Sequence, residues 1–306
     1  MNISNCIKEF EPVKNAVVTI GTFDGVHLGH RAIFEKMKEK TAEIDGETVV
    51  ITFYPHPRIV LGLDSRHLKF INTQEKKINR IEDTGIDHLV IIPFTKEFAS
   101  LTSDEFMQLI LEKIQPKVIV IGHDHHFGKD REGSFELLKE TGQKEGFDVL
   151  RVEAQYMNDV TVSSTKIRKF LEAGKVAAAN TFLGYEYSIT GKVVRGQSIG
   201  HNLGFPTANI EVADEYKLIA AVGVYACRVA YMGKIYKGMS NIGYRPTIDH
   251  GDLTIEVHIF EFDQQIYGDQ ITISFVDRLR DEQKFKNIEA LKAQLAKDKE
   301  AALKLL

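Results

Sequence analysis

From about residue 16 to residue 152 the chain alternates apolar runs with stretches of helical spacing, and after about residue 186 the period becomes that of strands. That change of period constrains the fold more tightly than any overall composition. The runs 16–21, 48–54, 88–94, 117–122 and 148–152 are mainly apolar without strict alternation, as strands buried on both faces are. Helical stretches lie between them, including 74–83 and 103–114, and Thr102-Ser103-Asp104-Glu105 ahead of the second has the spacing of a capping box. Continuous strands joined by helices form a parallel sheet covered on both faces, so this half is a Rossmann-like α/β domain with its ligands at the C-terminal ends of the strands. In the second half, 187–195, 222–231, 234–239, 254–262 and 270–276 read as closely spaced antiparallel strands, with Met232-Gly233 as a hairpin turn, which gives a small β-barrel. An Ala/Leu/Lys-rich helix, 287–306, ends the chain. Helix 176–182 stops at Gly184 as a C-cap, and the domain boundary is placed near 183–186, dividing the 306 residues into 1–184 and 185–306.

Between the first strand and the first helix stands GTFDGVHLGH, Gly21 to His30. A strand-to-helix turn exposes unpaired backbone N–H groups at the positive end of a helix dipole, which is a site for phosphate. Gly21, Gly25 and Gly29 permit a close backbone approach to a ligand, and His27 and His30, three apart, can face it together. His27-Leu28-Gly29-His30 resembles the His-x-Gly-His signature of nucleotidylyltransferases. The longer string, with Phe23 and Asp24, is similar to that of the bacterial bifunctional riboflavin kinase/FAD synthetases.

Three later stretches fall on the same sheet edge. Phe53-Tyr54-Pro55-His56-Pro57-Arg58 has prolines that stop strand or helix, and it is either a rigid loop or part of the site lining. Gly122-His123-Asp124-His125-His126-Phe127-Gly128 lacks the spacing of a metal site and reads as a loop. It resembles the family's Gly-x-Asp-x-x-Phe-Gly, which implies that Asp124 lies near the nucleotide; His125 departs from the aromatic usual there. In Ser163-Ser164-Thr165-Lys166-Ile167-Arg168, helix capping alone explains one serine. Two hydroxyls, a helix N-terminus and an Arg one turn on also suit a triphosphate tail. The resemblance here is to the Ser-Ser-Thr-x-x-Arg motif that accompanies His-x-Gly-His. No Lys-Met-Ser-Lys-Ser loop occurs, which sets the chain apart from class I aminoacyl-tRNA synthetases.

The strand-rich half carries Gly191, Gly196, Gly200 and Gly204 around Gly204-Phe205-Pro206-Thr207-Ala208-Asn209, glycines that mark turns and also suit backbone wrapped around phosphates. No G-x-x-x-x-G-K-[ST] run is present, so ATP chemistry here is not of the P-loop kind. The string resembles the Gly-x-Pro-Thr-Ala-Asn signature of riboflavin kinases, as do Asn241-Ile242-Gly243-Tyr244-Arg245-Pro246-Thr247, Glu256-Val257-His258, Tyr267-Gly268 and Arg278-Leu279-Arg280. The resemblance implies that Thr207 and Asn209 hold the Mg²⁺ of MgATP, that Glu256 is general base for the riboflavin 5′-hydroxyl, and that Arg280 binds flavin. Spacing alone points Glu256 to solvent. His201 stands where the family commonly has Arg.

The expected activity follows from the resemblance: riboflavin and ATP give FMN in 185–306, and FMN and ATP give FAD and pyrophosphate in 1–184. No tightly bound organic cofactor is expected beyond these substrates and products. A net charge of −4 and a pI near 6.3 advertise neither nucleic acid nor an anionic membrane as a partner. Cys6 and Cys227 form no C-x-x-C or zinc pattern, and no apolar run can span a bilayer, so a cytoplasmic chain with reduced thiols is expected. A monofunctional enzyme with a degenerate partner domain would have lost one set of reactive groups, and both sets are present. A non-catalytic flavin- or nucleotide-binding module is the other rival, and the oligomeric state is open.

Overall fold

A computed structural model describes residues 1–62, 68–123, 134–157, 160–196, 204–244 and 253–306. It separates into two compact units, Met1–Ser164 and Thr165–Leu306.

The first unit is built on β1 (Asn2–Ser4), β2 (Val17–Ile20), α1 (Leu28–Ile44), β3 (Thr48–Tyr54), α2 (Pro57–Val60), α3 (Gln74–Glu82), β4 (His88–Pro93), α4 (Lys96–Ala99), α5 (Ser103–Lys113), β5 (Val118–Gly122), α6 (Phe135–Glu145) and β6 (Asp148–Val152). These six strands form one sheet in the order β1-β4-β3-β2-β5-β6, parallel throughout. A small β7–β8 ribbon (Tyr156–Met157 with Val160–Thr161) follows. Side chains alternate between two cores, as a sheet with helices on both faces requires. Val17 and Val50 pack with Phe34 and Met37 of α1 and Ile81 of α3, whereas Val18 and Ile51 pack with Phe106 and Ile110 of α5. Thr102 caps α5 in a complete capping box, as its spacing predicts. Pro57 corrects one expectation: it does not merely interrupt the chain but occupies the first turn of the short α2, where a missing N–H costs nothing.

Because β2 hands the chain to β3 on one side while β5 lies on its other side, the order reverses between β2 and β5. A crevice at the carboxyl ends of the strands belongs there, and the Gly21–His30 turn leaves β2 at that point.

The second unit begins within α7 (Ser164–Glu172) and continues through α8 (Val176–Leu183), β9 (Ser188–Val194), β10 (Ala208–Glu211), β11 (Gly223–Tyr231), β12 (Lys234–Tyr244), β13 (Leu253–Ile259), β14 (Gln270–Arg280) and α9 (Ile288–Leu305). The strands close into an antiparallel barrel, β10-β13-β12-β11-β14-β9, which leaves no sheet edge to protect. Met232 and Gly233, both at positive φ, make the β11–β12 turn, and Gly184 caps α8 in the left-handed region. α9 packs on the barrel's outside through Ala302 against Ala226, Met239 and Phe260. Three features differ from expectation: β12 continues five residues past Met239, β14 continues four past Val276, and β10 is a strand in its own right. Cys227 is buried, Cys6 partly so, and neither is in a disulfide; burial pushes the Cys227 thiol far up, which makes it inert.

Candidate functional site

In the first unit the chain leaves β2 and turns sharply. Phe23 (φ 50°), Gly25 (φ 86°) and Val26 (φ 38°) all lie in the left-handed region, which is rare for a β-branched residue. Strain of roughly 1–3 kcal/mol per such residue persists only where the surroundings impose it. Here Asp24 imposes it: the buried carboxylate accepts the N–H of Ile71 at 3.0 Å and of Asn72 at 3.2 Å, while the Asp24 carbonyl accepts from Ser164 Oγ at 2.8 Å. The Phe23 ring fills the space beside Gly21 and meets Phe34 and the edge of His30, each at 5.2 Å between centroids.

His27 is the N-cap of α1, its Nδ1 accepting the His30 N–H at 3.4 Å. The two imidazoles stack at 3.6 Å with 18° between planes. A Cβ at Gly29 would come within 3.1 Å of the His27 ring, so glycine lets that ring lie over the start of the helix. His30 is held well below its ordinary 6.5, first by desolvation, then by His27 and by Lys77, and its Nδ1 is buried with no hydrogen-bond partner among the described residues. Two rings this close do not both ionise. A neutral imidazole at a helix N-terminus offers phosphate a donor without an imidazolium charge.

Ser163 and Ser164 close the first unit, with Ser164 opening α7. Thr165 and Arg168 follow in the second, the guanidinium 3.4 Å from Thr165 Oγ1. His123, exposed at the end of β5, accepts from Arg151 Nη2 through its carbonyl at 2.6 Å. Asp124, His125 and His126 lie outside the described residues, as do Gly200, His201 and Arg245-Pro246-Thr247. Among the described residues no group of three or more His, Cys, Asp or Glu could hold a metal.

In the second unit, register assembles the site. Glu256 of β13 pairs with Asn209 of β10 on one side and with Asn241 of β12 on the other. Directly paired residues share a face, so the three form a row across three strands, on the face opposite to the one that buries Ile255 and Val257. Thr207 Oγ1 donates to the Glu256 carboxylate at 3.3 Å. Glu256 is thus half-buried in a polar row, and solvent is not its only neighbour, as strand alternation alone would have it. Asn209 is 8% exposed, and a Cβ at Gly196 would overlap its amide, so the glycine lets the chain after β9 pass over that side chain. Gly191 has a packing reason of its own, since a Cβ there would run into the β10 backbone at Glu211.

Asn241 and His258 belong to this group although no role attaches to them in the sequence. His258 Nδ1 lies 2.8 Å from the Pro206 carbonyl and its ring meets Phe205 edge-on, which fixes the segment carrying Thr207; burial lowers its pKa, so at neutral pH the Nδ1–H donates. Arg280 is engaged elsewhere: Nε and Nη2 hold the buried Asp298 of α9 at 2.8–3.1 Å. The Thr207 hydroxyl, the Asn209 amide oxygen and the Glu256 carboxylate are hard oxygen donors, and one or two of them with phosphate oxygens and retained waters suit Mg²⁺.

Residues 10–166 match the family model for FAD synthetase, and residues 183–306 match that for riboflavin kinase. A bifunctional riboflavin kinase/FMN adenylyltransferase of Listeria monocytogenes is 37% identical over 287 residues, which cover 94% of this chain and 91% of that protein. Its counterpart in Escherichia coli K12 is 34% identical over 289 residues, with the same coverage of 94% and 91%. A solved structure described as a macrolide-efflux protein of Streptococcus pneumoniae superposes with a TM-score of 0.89 at 31% identity, over 98% of this chain and 97% of that one.

Proposed function

The chain belongs to the bifunctional riboflavin kinase/FMN adenylyltransferase family, and from that premise we propose how its residues divide the two reactions. Riboflavin and ATP give FMN and ADP; FMN and a second ATP give FAD and pyrophosphate. Residues 1–184 carry the second reaction and 185–306 the first. The observation that supports this best is the Glu256 row, a carboxylate within hydrogen-bond reach of Thr207 and in register with Asn209.

In the kinase reaction the attacking 5′-hydroxyl is neutral, so its proton needs an acceptor as the oxygen bonds to the γ-phosphorus and ADP leaves. Glu256 takes that proton. Thr207 and Asn209 would hold Mg²⁺, which when bound neutralises charge on the transferring phosphoryl group. The glycines at 191, 196 and 200 belong to the ATP side of this site and Arg280 to the flavin side.

Adenylyl transfer differs because the FMN phosphate is already an anion. It attacks the α-phosphorus in line, pyrophosphate leaves, and no general base is needed. His27 and His30 donate hydrogen bonds to the phosphates, His30 as a neutral ring, Ser163, Ser164, Thr165 and Arg168 hold the leaving pyrophosphate, and Asp124, outside the described residues, is assigned to the nucleotide by its motif. Gly21, Phe23, Asp24 and Gly29 shape the turn that admits them. Macrolide efflux does not carry over to this chain, since both halves match flavin-enzyme models. Small molecules are the partners proposed, without nucleic acid or membrane, in a cytoplasmic protein whose two cysteines are unpaired. Incubation with riboflavin, ATP and Mg²⁺, followed by chromatographic separation of the flavins, tests the whole reading. FMN is expected first and FAD after it, with neither formed once EDTA removes the divalent ion. FAD formation from FMN without FMN formation from riboflavin would refute the kinase assignment.

A further inference from the structure

Helix α3 carries a lysine where its core face calls for an apolar residue. Lys77 stands one turn before the fully buried Ile81, is itself only 7% exposed, and extends its ammonium toward the carboxyl ends of β2 and β3. Nζ lies 3.1 Å from Thr52 Oγ1, 3.3 Å from the Thr22 carbonyl and 3.5 Å from the Phe53 carbonyl. All three acceptors are neutral. Taking an ammonium out of water for such partners is unfavourable, and an apolar side chain would serve the packing of α3 better. The location supplies a reason for the charge. Thr22 opens the strained turn that ends in His27 and His30, and Lys77 is one of the groups that hold His30 uncharged.

We propose that Lys77 is a positioning residue for adenylyl transfer, fixing the strand ends from which the Gly21–His30 turn departs and placing a positive charge behind His30 at neutral pH. The inference rests on the assignment of adenylyl transfer to that turn. It adds a cation at the strand ends, where two phosphorylated substrates bring several negative charges together, and it keeps His30 a neutral donor. Burial lowers the ammonium to about 8, with Asp24 opposing the shift. Among the described residues, the other titratable group that interacts with it is His30 on α1, while β3 presents the Thr52 and Phe53 oxygens. On α3 itself, the neighbouring Lys76 interacts with Arg80, Asp83 and Glu75 instead.

The test uses the full chain. The kcat/KM for FAD formation from FMN and MgATP, measured between about pH 6 and about pH 10, reports groups of the free enzyme. In the wild type it is expected to fall as pH rises through about 8, where Lys77 loses its proton. In Lys77→Arg that fall disappears, because a guanidinium stays charged. Lys77→Gln is expected to be slower at every pH, by up to about 10²-fold, as for a misplaced reacting geometry. By NMR the His30 titration midpoint should rise in Lys77→Gln and stay near the wild-type value in Lys77→Arg. Riboflavin phosphorylation by the same preparations should be unchanged. A wild-type profile flat through that pH, a Lys77→Arg profile that keeps the inflection, or an unmoved His30 midpoint in Lys77→Gln overturns the proposal. If Lys77→Gln does not fold, the wild type and Lys77→Arg still decide it. Persistent FAD formation in a chain with His27→Ala and His30→Ala would instead defeat the assignment of the turn, and this inference with it.

Discussion

On the assignment proposed above, the turn between β2 and α1 and the row of Asn209, Glu256 and Asn241 both serve phosphate chemistry, yet they handle protons in opposite ways. The turn keeps His30 uncharged, first by burying it and then by setting His27 and Lys77 beside it. The barrel row presents a carboxylate and surrounds it with a hydroxyl and two amides. The nucleophile explains the contrast. A phosphate anion needs placement and donors, whereas a hydroxyl needs a base as well. The scaffolds differ accordingly: a parallel sheet brings a strained turn to a helix N-terminus, and antiparallel register lines up side chains from three strands.

Exchange of one group on each side should separate the activities. Glu256→Gln keeps size and removes the proton acceptor, so riboflavin phosphorylation should fall by about 10²–10⁴-fold while FAD formation from supplied FMN continues. His27→Ala combined with His30→Ala should do the reverse, lowering FAD formation by about 10³-fold and letting FMN accumulate. Separated flavin products measure both. Loss of both activities in a Glu256→Gln protein that still melts at the wild-type temperature would end the contrast between the regions.

A third variant asks whether the flavin side of the barrel is also a structural joint. Asp298 is buried, is held by Arg280 and accepts from Gln294 Nε2 at 2.8 Å. Removing it leaves a partly buried guanidinium without its carboxylate, and Asp298→Ala should cost about 3 kcal/mol of barrel stability in denaturant melts. If Arg280 binds flavin, KM for riboflavin should rise in the same variant below its melting temperature. The KM for FMN in adenylyl transfer should not.

How much of this was legible in the sequence differs between the halves. Around β2 nearly everything was local: an apolar run, a glycine-bearing turn and a helix start within fifteen residues, so the position of His27 and His30 could be read directly. Lys77 was hidden because a lysine on a helix ordinarily marks the wet face, and its one signal is the spacing to Ile81. In the barrel, Glu256 looked solvent-facing because alternation says which face a residue is on but not what lies opposite. Its partners arrive through pairing with β10 and β12, segments 47 and 15 residues away along the chain between paired positions 209, 241 and 256. Neither β10 nor the end of β12 stands out, since β10 is only four residues long and follows Pro206 closely, and Gly243 interrupts the apolar pattern at the end of β12. The stretch from Thr165 to Gly184 belongs by motif to the first half. By packing it belongs to the second, where Asn180 donates to the Phe275 carbonyl at 2.8 Å and accepts from the Tyr187 N–H at 2.7 Å.

The smallest effect expected is also the one that compares the two units within a single protein. Each holds a histidine whose pKa burial lowers, His30 strongly and His258 less so. Both are neutral when folded at neutral pH, and in the unfolded chain both take up a proton near 6.5. Above that value they leave stability unaffected by pH. As pH falls below it, the unfolded state binds the proton first, and stability is lost until the folded-state pKa is reached. Each group can contribute at most about 1.4 kcal/mol per pH unit. Because His30 is shifted further, its loss should continue to lower pH than that of His258. Melting followed by probes local to each unit should therefore show the first unit's midpoint dropping further between neutral and acid pH. Replacing His30 by Gln should remove that excess, since the side chain no longer titrates. An equal acid response of the two units in the wild type would mean that the stacked pair at the turn accepts a proton as readily as an ordinary histidine, and the neutral-donor reading of adenylyl transfer would then have to be replaced by one with an imidazolium.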